Sequence, residues 1–299
     1  FGMTREELNE AIALICDSTS HVKLKGVHVH IGTQVNDISA FEKEAQFLIS
    51  YIRDISALLP YQFEHINLGG GFPKNYTSSD ENWQNTPSHH KTKYRTEITF
   101  KKLADVLIRP ISEAFGSQVE IIVEPGRSLV SDAAVLLTKI ESSKSRLDRP
   151  LFYLDAGYST LFDVHMGWYF HMINASNADS RETQLCRMAG PLCDSSDVYY
   201  DIEGESRVKN LLEESADLYV YKEILDRNLI SQPSLRELPK DTKIGDTIAI
   251  FDAGAYALEM MNDYCGRNQA AAIMISDGEG ANLIRRRSQP KDLLRYDVY

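Results

Sequence analysis

The feature that most constrains the fold is a regular alternation of helical and strand patterns in about the first 130 residues. Apolar side chains recur at helical spacing from Leu8 to Ile15 and from Phe41 to Ile55, and short strand-like runs such as KLKGVHVHIG and FEHINLGGG separate them. Helices and strands that alternate in this way are typical of a parallel sheet covered by helices. The pattern leaves both a barrel and an open sheet as possible architectures.

Capping patterns indicate where the helices begin and end. Thr4 and Glu7 have the spacing of a capping box, and Ser39 with Glu42 predicts the start of a second helix. A third predicted helix contains Pro110, where we expect it to bend because proline cannot donate a backbone hydrogen bond.

The rhythm changes after about residue 135. Strand-like runs now dominate, among them AAVLLTKIESS, PLFYLDAGY, DTIAIFDAGAY and QAAAIMIS. We therefore predict two domains, 1–133 with the parallel β/α pattern and 134–299 with a mostly β pattern. The polar segment 76–96 interrupts the first domain and is typical of a long surface loop that acts as a lid or binding loop.

Composition narrows the classes of partner. A formal charge of −11 argues against a nucleic-acid surface, which requires a basic face, and favours a small-molecule partner. The sequence contains no apolar run long enough to span a membrane. The four cysteines have neither metal-site spacing nor the density of a disulfide framework, so we expect reduced thiols and a cytoplasmic protein.

Each strand of the first half ends in polar or glycine-rich sequence: HVHIGTQ, NLGGG and EPGR. Ligands bind at the carboxyl ends of parallel strands, so these three endings predict one shared site. Three consecutive glycines, Gly69 to Gly71, suggest backbone amides that hold a phosphate, to which Thr33 adds a hydroxyl and Arg127 a guanidinium. The alternative is a tight turn without a ligand.

Several of these residues have a second interpretation. His28 and His30 face the same side of a strand and could form a metal-binding pair in a metal-dependent hydrolase. Glu124 could be a structural partner of Arg127, although its position at a strand end favours a ligand contact. Cys193, taken alone, is more often a buried thiol than a catalyst.

Five motifs in order, HVHIGTQ, NLGGGFP, EPGRSLV, GPLCDSSD and DAGAY, are similar to those of the fold type III pyridoxal-phosphate decarboxylases. This family includes the ornithine, arginine and diaminopimelate decarboxylases. The resemblance implies an α/β fold in which the C-terminal part of a TIM-type barrel binds pyridoxal 5'-phosphate and a mostly β domain follows. It also implies a homodimer with active sites at the subunit interface.

The resemblance assigns roles to residues at the strand ends. His30 would stack on the cofactor ring, and Glu124 would pair with the pyridine nitrogen and keep it protonated. The full set of cofactor-binding residues that it implies is His30, Thr33, Gly69, Gly70, Gly71, Glu124, Gly126, Arg127 and Tyr256.

The resemblance also implies catalytic and substrate-binding residues. Cys193 from the neighbouring subunit would act as a general acid, with His30 and Glu124 as the other catalytic residues. Asp155 and Asp194 would receive the distal ammonium of ornithine or lysine, and Arg127 would lie near the phosphate or a substrate carboxylate.

The substrate stays open between branches of the family. The segment YSTLFDVHMG lacks an arginine for a distal carboxylate, which counts against diaminopimelate, whereas the tail LIRRRSQPKDLLRYD resembles the diaminopimelate branch. A basic amino acid, diaminopimelate, and a polyamine, siderophore or antibiotic precursor all remain candidates.

The family forms a Schiff base through a lysine in the early barrel, and no lysine here lies in such a context. Lys23 and Lys25 flank the start of a strand, at the opposite end from the site. We expect the lysine to lie upstream of Phe1, in a part of the protein that this sequence lacks. A catalytically inactive homologue that binds partners is the alternative.

Overall fold

The computed structural model describes residues 2–17, 21–59, 62–76, 95–146, 149–166, 168, 170–177, 182–199, 235–278 and 280–298. The chain forms two compact units. Unit 1 comprises Phe1–Asn75 and Lys91–Leu129, and unit 2 comprises Tyr76–His90 and Val130–Tyr299. The boundary between the units thus lies four residues before the predicted one.

Unit 1 alternates helices and strands along the chain. Its elements are α1 (Arg5–Cys16), β1 (Gly26–His28), α2 (Ile38–Ser56), β2 (His65–Asn67), α3 (Phe100–Leu103), a π-helical turn (Ala104–Ile108), α4 (Arg109–Phe115), β3 (Glu120–Ile122) and α5 (Arg127–Val130), the last of which runs one residue past the boundary.

The three strands of unit 1 form a parallel sheet in the order β1-β2-β3. One face of this sheet is apolar, and Ile66 and Leu68 on that face are buried in the same core as Phe41, Leu48 and Ile52 of α2. Side chains alternate between the two faces of a strand, so the residues between these apolar ones lie on the opposite face. The sequence therefore provides one face for packing against helices and one polar face.

The helix boundaries confirm one predicted cap and correct another. The hydroxyl of Thr4 accepts a hydrogen bond from the Glu7 amide at 3.2 Å, and the Glu7 carboxylate accepts one from the Thr4 amide at 2.7 Å. The cap of α2 is Asp37 rather than Ser39, because the Asp37 carboxylate accepts from both the amide and the hydroxyl of Ser39 at 2.9 Å. Ser39 is a donor to the cap.

The third helix departs from regular α geometry before Pro110. A π-helical turn at Ala104–Ile108 precedes α4, and Pro110 lies in the first turn of α4, where the missing amide hydrogen costs no helical bond. The sequence located the irregularity within a few residues but attributed it to a bend.

Unit 2 is mostly β. Its strands are β4 (Leu136–Arg146), β5 (Arg149–Leu154), β6 (Met172–Asn174), β7 (Thr183–Ala189), β8 (Leu235–Pro239), β9 (Thr247–Ile250), β10 (Ala272–Ser276) and β11 (Gly280–Arg285), and its short helices are α6 (Ala257–Met260) and α7 (Pro290–Leu293). Six strands form one sheet in the order β6-β9-β4-β5-β7-β8, and β10 pairs with β11.

The predicted fold class is confirmed: a parallel β/α unit is followed by a mostly β unit. The strand-like runs noted in the second half form β4, β5, β9 and β10. The predicted surface loop at 76–96 falls almost wholly on 77–94, outside the described residues. Within the part of the chain that the structure describes, no helix has the length and apolarity that a membrane span requires.

Candidate active site

The register of the unit 1 sheet brings residues of three strands side by side on the face opposite the apolar core. His28 pairs with Asn67, and Asn67 pairs with Ile122. Two residues further along each chain segment come His30, Gly69 and Glu124. Because residues two apart share a face, the strand endings predicted to form one site do lie together.

The three glycines are required by their backbone neighbours. A Cβ atom on Gly69 would overlap the carbonyl oxygen of Val29, and one on Gly70 would overlap that of Glu124. A Cβ atom on Gly71 would overlap the carbonyl oxygen of Gly32. Gly69 and Gly71 also have positive φ angles of 62° and 79°, which favour glycine. These close approaches give an independent reason for glycine at the three positions, and a phosphate held by their amides stays a prediction.

Two of the glycine amides already have acceptors. The Gly69 amide donates to Oδ1 of Asn67 at 2.9 Å, and the Gly70 amide donates to Nδ1 of His30 at 3.1 Å. None of the described residues accepts a hydrogen bond from the Gly71 amide. Gly71 is therefore the glycine whose amide remains available to an anion.

The loops after β1 and β2 are joined beyond the glycines. The Val35 amide donates to the Gly71 carbonyl at 3.0 Å, and the buried side-chain amide of Gln34 bonds both the amide and the carbonyl of Lys74. The backbone is thereby fixed immediately after Thr33, which is exposed. Its hydroxyl is adjacent in the chain to Gly32, whose carbonyl lies against Gly71.

Glu124 follows β3, and its carboxylate has one hydrogen bond and one close histidine neighbour. Oε1 accepts a hydrogen bond from Nδ2 of Asn67 at 2.7 Å, and Oε2 lies 3.7 Å from Nε2 of His28. The side chain remains 50% exposed. An oriented and accessible carboxylate can accept a hydrogen bond from a ligand, so these contacts support a ligand role for Glu124.

Gly126 and Arg127 follow Glu124 in the chain. No atom lies within 4 Å of the position that a Cβ atom on Gly126 would occupy. Arg127 is buried, with 9% of its surface exposed, at the first residue of α5. A buried guanidinium is a fixed positive charge close in sequence to the oriented carboxylate.

In unit 2 the predicted general acid Cys193 lies in the loop that follows β7, and it is exposed. Asp197 closes this loop, since its carbonyl accepts from the Gly190 amide at 2.8 Å and its Oδ2 accepts from the Leu192 amide at 2.7 Å. Its Oδ1 accepts from the Tyr158 amide at 2.8 Å. Burial raises the pKa of Asp197, and the Leu192 and Tyr158 amides partly oppose this effect.

Asp194 is tied to its own loop and to the loop after β5. It accepts hydrogen bonds from the hydroxyl and amide of Ser196 at 2.7 and 2.9 Å, and from the Tyr158 hydroxyl at 3.0 Å. These donors, Ser196 first, lower the pKa of Asp194. Burial and the adjacent Asp194 carboxylate raise the pKa of Tyr158.

The predicted acidic pair has two different environments. Oδ1 of Asp155 accepts from the Thr138 hydroxyl at 2.5 Å and from the Lys139 amide at 2.9 Å. Asp194 bonds Ser196 and Tyr158 instead, and no contact among the described residues joins Asp155 to Asp194. A shared role of the two carboxylates in binding an ammonium group stays a prediction.

Tyr256 stands immediately before α6 with a φ angle of +65° and 44% of its surface exposed. A left-handed backbone is uncommon for an aromatic residue. The preceding Gly254 lies against the Val130 carbonyl, so the DAGAY segment is closely packed within unit 2.

Asn67 and Asp197 received no role from the sequence. Asn67 lies in the NLGGG motif and Asp197 in the GPLCDSSD motif. Alternation gave a signal for Asn67, which is two residues before Gly69 and therefore on the same face. His28, left open above, contacts Glu124. No group of three or more His, Cys, Asp or Glu residues within the described ranges is arranged to hold a metal ion.

Comparison with known proteins identifies relatives of the whole chain. Residues 1–131 match the family model "Pyridoxal-dependent decarboxylase, pyridoxal binding domain". The chain is 30% identical over 282 residues to the diaminopimelate decarboxylase of Methanocaldococcus jannaschii, covering 93% of this chain and 52% of that protein. It is 27% identical over 283 residues to the enzyme of Escherichia coli K12, covering 93% of this chain and 57% of that protein.

Solved structures agree with these matches. The structure of the M. jannaschii diaminopimelate decarboxylase in complex with L-lysine has a TM-score of 0.76 and 29% identity, covering 100% of this chain and 58% of that one. The lysine/ornithine decarboxylase of Vibrio vulnificus, with putrescine, has a TM-score of 0.63 at 19% identity, covering 90% of this chain and 59% of that one, which shows a shared fold alone.

The chain spans about half the length of the curated relatives it matches. The family model covers the unit with the oriented Glu124 and the glycine turn, and the matched relatives extend through unit 2. Residues 1–131 therefore match the pyridoxal binding domain of the pyridoxal-dependent decarboxylases, and the chain as a whole is similar to the fold type III members of that family.

Proposed function

We propose that the protein containing this chain is a pyridoxal-phosphate-dependent amino-acid decarboxylase whose substrate is a diamino acid. The observation that carries the proposal is the half-exposed Glu124 carboxylate, which accepts a hydrogen bond from Asn67 and lies beside His28 at the end of the parallel sheet. The family match to residues 1–131 supports it.

The residues of unit 1 fit pyridoxal phosphate. The Glu124 carboxylate is an acceptor for a protonated ring nitrogen. His30, two residues after the end of β1, provides an aromatic ring on the same face of the sheet. The Gly71 amide, the Thr33 hydroxyl and the Arg127 guanidinium are donors suited to a phosphate. The Gly70 amide donates a hydrogen bond to Nδ1 of His30 and so holds the ring in place. Because Nδ1 accepts this bond, it carries no proton of its own.

When bound, pyridoxal phosphate supplies an electron-withdrawing ring that accepts the electron pair left as the substrate carboxylate departs as CO2. Glu124 would keep the ring nitrogen protonated, which would strengthen that withdrawal. Cys193, exposed on its loop, would donate the proton of its Sγ atom to the carbon that lost CO2. Tyr256 would contact the phosphate, and Asp194 and Asp155 would receive the distal ammonium of the substrate.

Diaminopimelate is a specific candidate among diamino acids. The relatives that cover more than nine-tenths of this chain at 24–30% identity are diaminopimelate decarboxylases, whereas the likeness to the lysine/ornithine enzyme is at 19% identity. The comparison favours diaminopimelate over ornithine, although YSTLFDVHMG carries no arginine for a distal carboxylate.

We further propose a cytoplasmic homodimer in which Cys193 serves the partner's site. All four cysteines are free thiols. The dimer is proposed from the family resemblance.

The test is cofactor binding followed by CO2 release. The purified protein is titrated with pyridoxal phosphate by absorbance, then assayed with diaminopimelate, ornithine, lysine and arginine. Glu124→Gln should abolish turnover, whereas Glu113→Gln on the exposed face of α4 is the matched control and should not. Absence of cofactor binding, or of CO2 release from every substrate in the panel, would contradict the proposal.

A further inference from the structure

We propose that His28 and Asn67 are positioning residues that hold the Glu124 carboxylate in the orientation in which it can receive a protonated ring nitrogen. The inference deepens the proposed function and rests on it. It gives a role to His28, which the sequence suggested as a metal ligand. It also gives a role to Asn67, to which the sequence motifs assign no role.

The first step is that each carboxylate oxygen of Glu124 has its own neighbour. Oε1 accepts from Nδ2 of Asn67 at 2.7 Å, and Oε2 lies 3.7 Å from Nε2 of His28. Half of the Glu124 side chain is exposed, so its surroundings alone do not immobilise it. The bond from Asn67 restricts the rotation of the carboxylate about its last bond, and His28 lies beside the other oxygen.

The second step is that the sheet itself brings the three residues together. His28 is the last residue of β1 and Asn67 the last residue of β2, and the parallel register pairs them directly. Asn67 pairs in turn with Ile122 of β3, two residues before Glu124 on the same face. The arrangement depends on backbone pairing rather than on the rotamer of one surface side chain.

The third step concerns the direction of the Asn67 amide. Its Oδ1 accepts from the Gly69 amide at 2.9 Å, which leaves Nδ2, the donor, facing Glu124. An amide meets both requirements at once, whereas an ionised carboxylate at this position has no hydrogen to donate. Asn67 therefore links the glycine turn to the acid, and the two functions can be separated by substitution.

Asn67→Asp and Asn67→Ala separate the contact with Glu124 from the contact with the glycine turn. Asp keeps an acceptor for the Gly69 amide but places a second carboxylate beside Glu124, whereas Ala removes both contacts. If Asn67 acts through Glu124, Asp weakens pyridoxal phosphate binding at least as much as Ala does, by about 10-fold. If it only supports the turn, Asp behaves like the wild type.

The measurement is the dissociation constant of pyridoxal phosphate, from equilibrium dialysis, together with the absorbance spectrum of the bound cofactor. A double-mutant cycle with Glu124→Gln tests whether the effects run through that acid. We expect the double variant Asn67→Asp, Glu124→Gln to bind no more weakly than Glu124→Gln alone, because Asp keeps the acceptor for the Gly69 amide. For His28, the Ala variant should weaken binding and the Gln variant, which retains a donor, should recover most of it.

The matched control is Asn9→Asp, the same change at an exposed residue of α1 whose Oδ1 accepts from the Tyr51 hydroxyl. Its cofactor dissociation constant should stay within about twofold of the wild type, since its contact lies in the helical layer. Wild-type binding by Asn67→Asp, or independent effects of Asn67→Asp and Glu124→Gln, would overturn the inference while leaving the proposed function intact. Failure of the wild type to bind the cofactor would overturn the proposed function, and this inference with it.

Discussion

The backbone amide of Tyr158 donates a hydrogen bond to Oδ1 of Asp197 at 2.8 Å, and this bond joins the loop after β5 to the loop that carries Cys193. β5 and β7 are parallel neighbours, with Tyr153 paired to Ala189, so their following loops leave the same edge of the sheet. The position of the proposed general acid thus depends on a buried carboxylate.

This junction has no room for an additional carbon. A Cβ atom on Gly190 would overlap the Asp197 carboxylate. We expect Gly190→Ala to lower the free energy of unfolding by about 1–3 kcal/mol, because the loop must shift or Asp197 must leave its amides. Urea denaturation measures the change. The shorter side chain of Asp197→Ser makes room for the added carbon. In a double-mutant cycle with Gly190→Ala, the two losses of unfolding free energy should therefore be less than additive, and full additivity would contradict this account.

A second prediction concerns Glu44 of α2, which is 5% exposed and has no hydrogen-bond partner for either carboxylate oxygen among the described residues. Burial raises the pKa of Glu44 to about 7. The folded state therefore retains this proton at pH values where the unfolded chain, with a pKa of 4.5, releases it. The resulting stabilisation is fully present below pH 4.5 and is lost as the pH rises towards 7.

We expect the free energy of unfolding to fall by about 3 kcal/mol over that range, since each pKa unit corresponds to about 1.4 kcal/mol. Glu44→Gln should remove this part of the pH dependence. Glu42→Gln, an exposed residue on the same helix, is the matched control and should leave it unchanged. Chemical denaturation at a series of pH values makes the comparison, and equal slopes for the two variants would show that Glu44 does not titrate in this way.

A third prediction tests the phosphate contact proposed for Tyr256. Removing only its hydroxyl, with Tyr256→Phe, should weaken pyridoxal phosphate binding by about 10-fold, the value of one hydrogen bond to a charged group. The free energy of unfolding should change little because the ring remains. Tyr296→Phe is the matched control, since Tyr296 is 82% exposed and has no role in the proposed site. Unchanged binding by Tyr256→Phe would remove this residue from the site.

The sequence predicted the elements better than it predicted the reasons for them. Hydrophobic periodicity located α1 and α2 and the three strands of unit 1, because one buried face imposes a repeat that can be read directly. The glycine turn was located too, but the close approach of the carbonyl groups of Val29, Gly32 and Glu124 could not be predicted, because strand register cannot be read from one strand alone.

The same limit explains the residues that received no role. Asn67 and Asp197 act through partners 57 and 39 residues away in the chain, so only the folded structure shows them. Asp37 was missed as the α2 cap for a different reason. Asp and Ser are both good capping residues, and with two candidates two positions apart the local pattern does not distinguish them.

The last prediction tests whether Cys193 and Glu124 act in one active site contributed by two subunits. Glu124→Gln and Cys193→Ala should each be inactive. In a homodimer with shared sites, co-expression of the two variants produces mixed dimers in which one of the two sites has both wild-type residues. Half of randomly formed dimers are mixed, so activity should return to about one quarter of the wild-type value.

The control is each variant co-expressed with a tagged copy of itself. Purification through two different tags isolates the mixed dimer, whose expected activity is about one half of the wild-type value. An isolated mixed dimer without activity would show that both residues must come from one subunit, whereas a monomeric wild-type protein in analytical ultracentrifugation would exclude the shared site altogether.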